Sequence, residues 1–151
     1  MSFPFARIAA HVATVVPLRP FDQQLDRMLD LAQATPLSVI AVAGPEAAEA
    51  MSGLWRRGYP RVEAARRATC PSADELCDVM LIAGYERAIP AAACVCGTRA
   101  MLGPRARVVI DAGHMTDPDE RLRLCGLLAE EGFRVQRGAH LAPEIVASKA
   151  V

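Results

Sequence analysis

The sequence predicts an α/β fold, with a mostly parallel sheet flanked by helices and an antiparallel hairpin at its C-terminal end. Three observations carry this expectation. The short apolar runs Ser38-Val39-Ile40-Ala41-Val42-Ala43, Asp78-Val79-Met80-Leu81-Ile82-Ala83 and Val108-Val109-Ile110 are continuous rather than alternating, as in strands covered on both faces. Stretches with helical spacing lie between them, and parallel strands need such crossovers. The last two strand-like segments, 133–136 and 144–150, are joined too closely for a crossover helix and therefore pair antiparallel.

Along the chain, Ile8, Val12, Val15 and Val16 fall at helical spacing within residues 4–16, and Pro17 and Pro20 break that segment. A second helix begins near Asp22, a good N-cap, with Phe21, Leu25, Met28, Leu29 and Ala32 on one apolar stripe. Pro36 ends it. Residues 1–35 thus read as an N-terminal helical segment and 36–151 as the sheet-bearing part, in one structural domain overall. After the first strand, Gly44-Pro45 opens a helix running to about Arg57, with Ala47, Met51, Leu54 and Trp55 inward and Gly58 as its stop. Residues 61–65 form a second strand, and Ser72 caps a short turn. Gly84 closes the strand 78–83. A helix over 90–102 is stopped by Gly103-Pro104, and the strand 108–110 ends at Asp111-Ala112-Gly113-His114. The next helix is capped by Thr116 or Asp117, has Leu122, Leu124, Cys125, Leu127 and Leu128 on its apolar side, and ends at Gly132.

Composition narrows the function classes. The 151 residues suit one domain with a sizeable core. A hydrophobic fraction of 52% and a mean hydropathy of +0.19 point to apolar surface covered by a second chain, hence a homodimer or another protein partner. Zero net charge argues against general nucleic-acid binding. No apolar run approaches the roughly 18–20 residues needed to span a bilayer, and the first 20 residues lack a signal-peptide pattern, so a cytoplasmic protein with no membrane association is expected. The five cysteines are irregularly spaced. Cys77 and Cys94 read as reduced, buried thiols, and Cys94-Val-Cys96 lacks the two-residue spacing of zinc or redox pairs. His11 and His140 have no ligand pattern around them, so no metal is expected. There is neither a Gly-x-Ser-x-Gly elbow nor a Gly-Lys-Ser/Thr phosphate loop.

Several segments in order resemble the Rossmann-like methyltransferases that use S-adenosylmethionine. Cys77-Asp78-Val79-Met80-Leu81-Ile82 resembles that family's fourth strand, and Leu102-Gly103-Pro104 with Arg107-Val108-Val109-Ile110-Asp111 its turn into the fifth. Glu131-Gly132-Phe133-Arg134-Val135, followed by Ile145-Val146-Ala147-Ser148-Lys149, resembles its final reversed hairpin. The resemblance covers about residues 36–151. It implies a three-layer fold and a cofactor site built from Ala43, Gly44, Pro45 and Glu46, with Glu63 for the ribose, Asp74 for the adenine, and Ala83 and Gly84 at the fourth-strand exit. Glu63 lies about 20 residues beyond Gly44, a spacing familiar from related nucleotide sites.

This loop departs from the family pattern. Gly44 is its only glycine, Ala43 and Ala47 add methyl groups, Pro45 lacks an amide donor, and Glu46 puts a carboxylate where the methionyl carboxylate of the cofactor would sit. Glu63 alternates with Val62 and Ala64 and so falls within its strand. The stretch from Arg66 to Asp78 is too short for a full third strand with its helix, which predicts a trimmed sheet of six strands, or five. The leading expectation is a methyltransferase-like protein with lost or weak cofactor binding that acts as a dimeric interaction or regulatory module. The alternative is an active small-molecule methyltransferase in which Asp111, His114 or Tyr85 positions the acceptor, with His114 as a candidate general base. A third reading is an anion binder that uses Arg56, Arg57, Arg61, Arg66 and Arg67.

Overall fold

A computed structural model of the chain describes residues 21–65 and 76–150. The helical stretch 4–16, Cys70, the Ser72 turn, Asp74, Arg66 and Arg67 lie outside the described residues.

The elements follow in the order α1 (Phe21–Ala32), β1 (Ile40–Ala43), α2 (Ala47–Arg56), β2 (Val62–Ala64), β3 (Cys77–Ile82), α3 (Ala88–Gly97), β4 (Leu102–Asp111), α4 (Pro118–Glu130), β5 (Phe133–Val135) and β6 (Glu144–Lys149). The strands form one six-stranded sheet in the order β2-β1-β3-β4-β6-β5. β2, β1, β3 and β4 run parallel, while β6 is antiparallel to both β4 and β5. The final hairpin is thus threaded: β6 inserts between β4 and β5 and is the one reversed strand of the sheet.

Alternation along each strand sends its side chains to two cores. Ala41, Ala43, Met80, Ile82, Val108, Ile110, Ile145 and Ala147 pack with α3 and α4 on one face. Ile40, Val42, Val79, Leu81, Val109 and Val146 pack with α1 and α2 on the other. The result is a three-layer sandwich, which explains why the central strands read as unbroken apolar runs. The α1 stripe of Leu25, Met28, Leu29 and Ala32 is buried as expected, and it makes this helix part of the second core. Among the described residues no helix is long and apolar enough to cross a membrane.

Several expectations about the elements need correction. α2 begins at Ala47, with Glu46 at the N-cap, because the Pro45 turn is occupied in closing the strand exit. Its buried residues are Ala50, Gly53 and Leu54, whereas Trp55 is 56% exposed. α3 starts two residues early, at Ala88, since Pro90 in a first turn gives up no intrahelical bond and Glu120 Oε2 accepts from the Ala88 amide at 2.7 Å. α3 ends at Gly97 rather than near 102, a 3-10 turn over Arg99–Met101 follows, and β4 begins at Leu102: Gly103-Pro104 lies in a bulge, where the pairing jumps from Cys77↔Leu102 to Val79↔Arg107, and a proline without an N–H is tolerated there. In α4, Asp117 caps the helix by accepting from Asp119 N at 2.9 Å, Leu124 and Leu128 are buried, and Leu122 is exposed. Cys94 is half-buried rather than buried.

Two features fix the positions of β1 and β3. At their amino ends, Asp78 Oδ2 accepts from the Val39 amide at 2.9 Å. At their carboxyl ends, the exits touch. Gly44 has φ +95 and Gly84 φ +100, both in the region that favours glycine. A Cβ on Gly44 would lie 2.3 Å from the Ala83 carbonyl oxygen, and one on Gly84 would lie 3.0 Å from Glu46 Cγ, Glu46 N and Pro45 Cβ. The Glu46 amide donates to that same Ala83 carbonyl at 3.2 Å.

Three outcomes follow. Gly44→Ala costs about 2 kcal/mol or more, and clearly more than Gly58→Ala, because Gly58 shares a positive φ of 82 but has open space around it; urea unfolding of both variants measures the difference. Asp78→Ala costs about 1–2 kcal/mol by orphaning the Val39 amide, while Asp78→Asn, which keeps an acceptor, retains most of it in the same assay. Burial pushes the Cys77 thiol up to about 12, so in the native protein at pH 8 iodoacetamide leaves Cys77 unmodified and labels it only after unfolding, as peptide mass mapping would read out.

Candidate functional site

The chain leaves β1 toward β2 on one side and later returns to β3 on the other, so the sheet switches direction between β1 and β3. Ligands of open α/β sheets bind in the crevice at such a point, at the carboxyl ends of the strands. Here Gly44 lies against the Ala83 carbonyl at the base of that crevice. At the head of α2, Pro45 has no amide hydrogen, Glu46 N is bound to Ala83 O, and Ala47 N is bound to Gly44 O at 3.1 Å, which leaves the amides of Ala48 and Glu49 facing outward.

Beside this closure lies a cleft of about 440 Å³ between the ends of β1 and β2 and the helix α3. Ala43, Gly44, Ala64, Ala65, Tyr85 and Cys94 form much of its wall, and none of its described lining residues is a carboxylate. Glu63 is paired with Ala41 inside β2, exposed, and outside this lining, so the strand tip that reaches the cleft is Ala64-Ala65. Tyr85 is half-buried against the α3–α4 core. The Thr98 hydroxyl, also in the wall, is turned inward and donates to the Cys94 carbonyl at 2.8 Å.

On the other side of the closure, three side chains far apart in sequence converge. Glu46 stands at the head of α2, Asp111 ends β4, and His114 follows in the next turn. His114 Nε2 lies 2.8 Å from Glu46 Oε1, an ion pair when the imidazole is protonated. Asp111 is 1% exposed, and its Oδ1 accepts from the Gly113 amide at 2.8 Å. Burial raises the Asp111 carboxyl above the usual carboxylate range, and neighbouring Glu144 adds to this; the Gly113 amide, His114 and Gln24 oppose it. Glu46 Oε2 and Asp111 Oδ2 are both buried without a hydrogen-bond partner. α1 braces this end of the sheet from one helical face. Gln24 reaches Asp111, while Arg27 Nε donates to Glu144 Oε1 at 2.8 Å, and Glu144 is the strand partner of Asp111.

Asp111 and His114 are therefore brought together with Glu46 of the expected cofactor loop, but His114 bonds to Glu46 and Asp111 bonds to its own turn. Ala83 and Gly84 join Gly44 and Pro45 in the closed exit, and Asp74 lies outside the described residues. The role of Glu46 as a partner of His114 had no sequence signal, because the two are linked only by the strand order. Among the described arginines of the cluster, two are engaged by α1: Arg57 Nε donates to Asp26 at 2.7 Å, Arg57 Nη2 donates to the Asp22 carbonyl at 2.9 Å, and Arg56 lies 3.5 Å from Asp22. Arg61 leans on the Leu37 carbonyl at 3.5 Å.

No known family model matches the sequence. No curated protein sequence matches it either. Solved structures do. DesVI of Streptomyces venezuelae superposes with a TM-score of 0.58 at 10% identity, covering 86% of this chain and 92% of that one. The precorrin 8w decarboxylase of Methanobacterium thermoautotrophicum gives 0.53 at 14% identity, covering 85% and 90%. A ribosomal protein L11 methylase from Lactobacillus delbrueckii subsp. bulgaricus gives 0.53 at 14% identity, covering 85% and 78%. Identity at this level carries the fold and no activity: the chain has the Rossmann-like methyltransferase fold, with a six-stranded mixed sheet whose reversed strand is β6.

Proposed function

We propose that this protein is a methyltransferase-fold chain whose binding of S-adenosylmethionine is weak or lost, and that it works as a dimeric interaction or regulatory module. The observation that carries this reading is the state of the α2 head. Of the backbone amides at that helix head, Pro45 has none and those of Glu46 and Ala47 are already bonded, and the Glu46 side chain, paired with His114, brings negative charge to that position. The strand tip that would offer an acid to the ribose carries alanines instead. The interaction role is supported by large apolar side chains on the surface: Leu37, Trp55, Ile89, Leu122 and Leu141 are each more than half exposed.

The second reading, an active small-molecule methyltransferase, is favoured by the cleft of about 440 Å³ beside Gly44, with Tyr85 in its wall and Asp111 and His114 at the neighbouring strand end. Calorimetry with S-adenosylmethionine and S-adenosylhomocysteine at millimolar concentration separates the two. No heat is expected, and micromolar affinity for either compound overturns the leading reading in favour of the second. In sedimentation equilibrium the chain is expected at twice its 16.2 kDa mass; a 16.2 kDa species at every concentration removes the dimer.

A further inference from the structure

Glu46, Asp111 and His114 each offer one ligand atom, and those atoms all lie within 4.8 Å of one another. Proximity alone would be unremarkable for polar side chains at a strand end. What sets this group apart is the state of its oxygens. Asp111 is buried to 1% exposure and its Oδ2 has no donor; Glu46 Oε2 is likewise buried and unpaired. Buried carboxylate oxygens without a partner are rare and costly, because the lost water is not replaced. Two carboxylates face a single imidazole, which can bring at most one positive charge. A cation between the three groups would supply the missing partner for both oxygens and balance the charge.

We propose that Glu46, Asp111 and His114 form a binding site for one divalent transition-metal ion of the zinc class. The donor set decides the class. One imidazole nitrogen with two carboxylates suits zinc and its first-row neighbours, whereas magnesium and calcium prefer all-oxygen shells. Within the first-row series manganese binds such sites most weakly and copper(II) most tightly, with zinc below copper. Three protein ligands leave a fourth position open. Zinc–nitrogen and zinc–oxygen bonds of about 2.0–2.1 Å place ligand atoms about 3.3 Å apart in a tetrahedral arrangement. His114 and Glu46, at 2.8 Å, are already that close, so a modest side-chain movement completes the set. The surroundings orient the ligands in the way a metal site requires: the Gly113 amide holds Asp111 Oδ1 at 2.8 Å, and Gln24 of α1 lies against the same carboxylate.

The site does not depend on cofactor binding, and its test contains none. The full-length chain, stripped with EDTA and exchanged into chelator-free buffer, is titrated calorimetrically with zinc chloride and, for comparison, magnesium chloride. One zinc per chain at micromolar affinity or tighter is expected, with no saturable magnesium binding. His114→Ala and Glu46→Gln each weaken zinc at least about tenfold, while the Cys94→Ser/Cys96→Ser double variant leaves it unchanged. His114 is 45% exposed, so its replacement leaves the core intact, and circular dichroism confirms the fold of each variant. With cobalt(II) as the probe, visible bands are expected without the thiolate charge-transfer absorption that cysteine ligation would give. Absence of saturable zinc binding, a loss smaller than tenfold in both His114→Ala and Glu46→Gln, or thiolate absorption with cobalt overturns the proposal.

Discussion

The arrangement at the carboxyl end of the sheet depends on one close approach: the backbone of Gly44 lying against the carbonyl of Ala83. Strands that diverge at a topological switch point normally leave a crevice there. Here Gly44 of one exit packs against Ala83 of the other, and only a residue without a Cβ, at positive φ, permits that approach. The contact sets where α2 begins, because the Glu46 amide is anchored to the same Ala83 carbonyl. It thereby sets the direction in which the Glu46 side chain leaves the helix, across the sheet toward the end of β4. The residue type that gives a nucleotide-binding loop its open backbone has been turned to joining one strand exit to the next.

Much of the fold was legible because the physics that fixes it is local. Val39 to Ala43, Val79 to Ile82 and Val108 to Ile110 are apolar without alternation, and two covered faces are the simplest way to satisfy such runs. The stripe of Leu25, Met28, Leu29 and Ala32 likewise marks α1 by its period alone. The misreadings fall where tertiary context overrules local signals. Gly103-Pro104 looks like a helix stop, yet a bulge absorbs it inside β4. Trp55 is bulky enough to suggest a core position, but the helical phase set by Ala50 and Leu54 turns it outward.

The candidate site was legible in its parts and invisible as a whole. Asp111 and His114 stand out as polar residues following a buried strand, and Glu46 as an odd residue for its loop. That these three meet follows from the order β1-β3-β4 and from the Gly44 closure, neither of which is written in any single segment. The reverse holds for Glu63. Its distance from Gly44 suits a ribose ligand, but the strand register carries Ala64 and Ala65 to the cleft instead. Spacing along a chain fixes neither the phase of a strand nor which residue ends it.

The threaded position of β6 has a consequence for how the sheet is completed. Among the described strands β5 hydrogen-bonds only to β6, although it precedes β6 in the chain. While the protein is being synthesised, β5 therefore emerges with no strand to receive it, and β4 keeps an open edge until β6 arrives to fill the gap between them. The last step of assembly joins two unfinished edges with one strand. An encounter at that stage with the open β4 edge of another copy would offer the same hydrogen bonds, so the order of synthesis leaves a brief interval in which intermolecular strand exchange competes with correct closure.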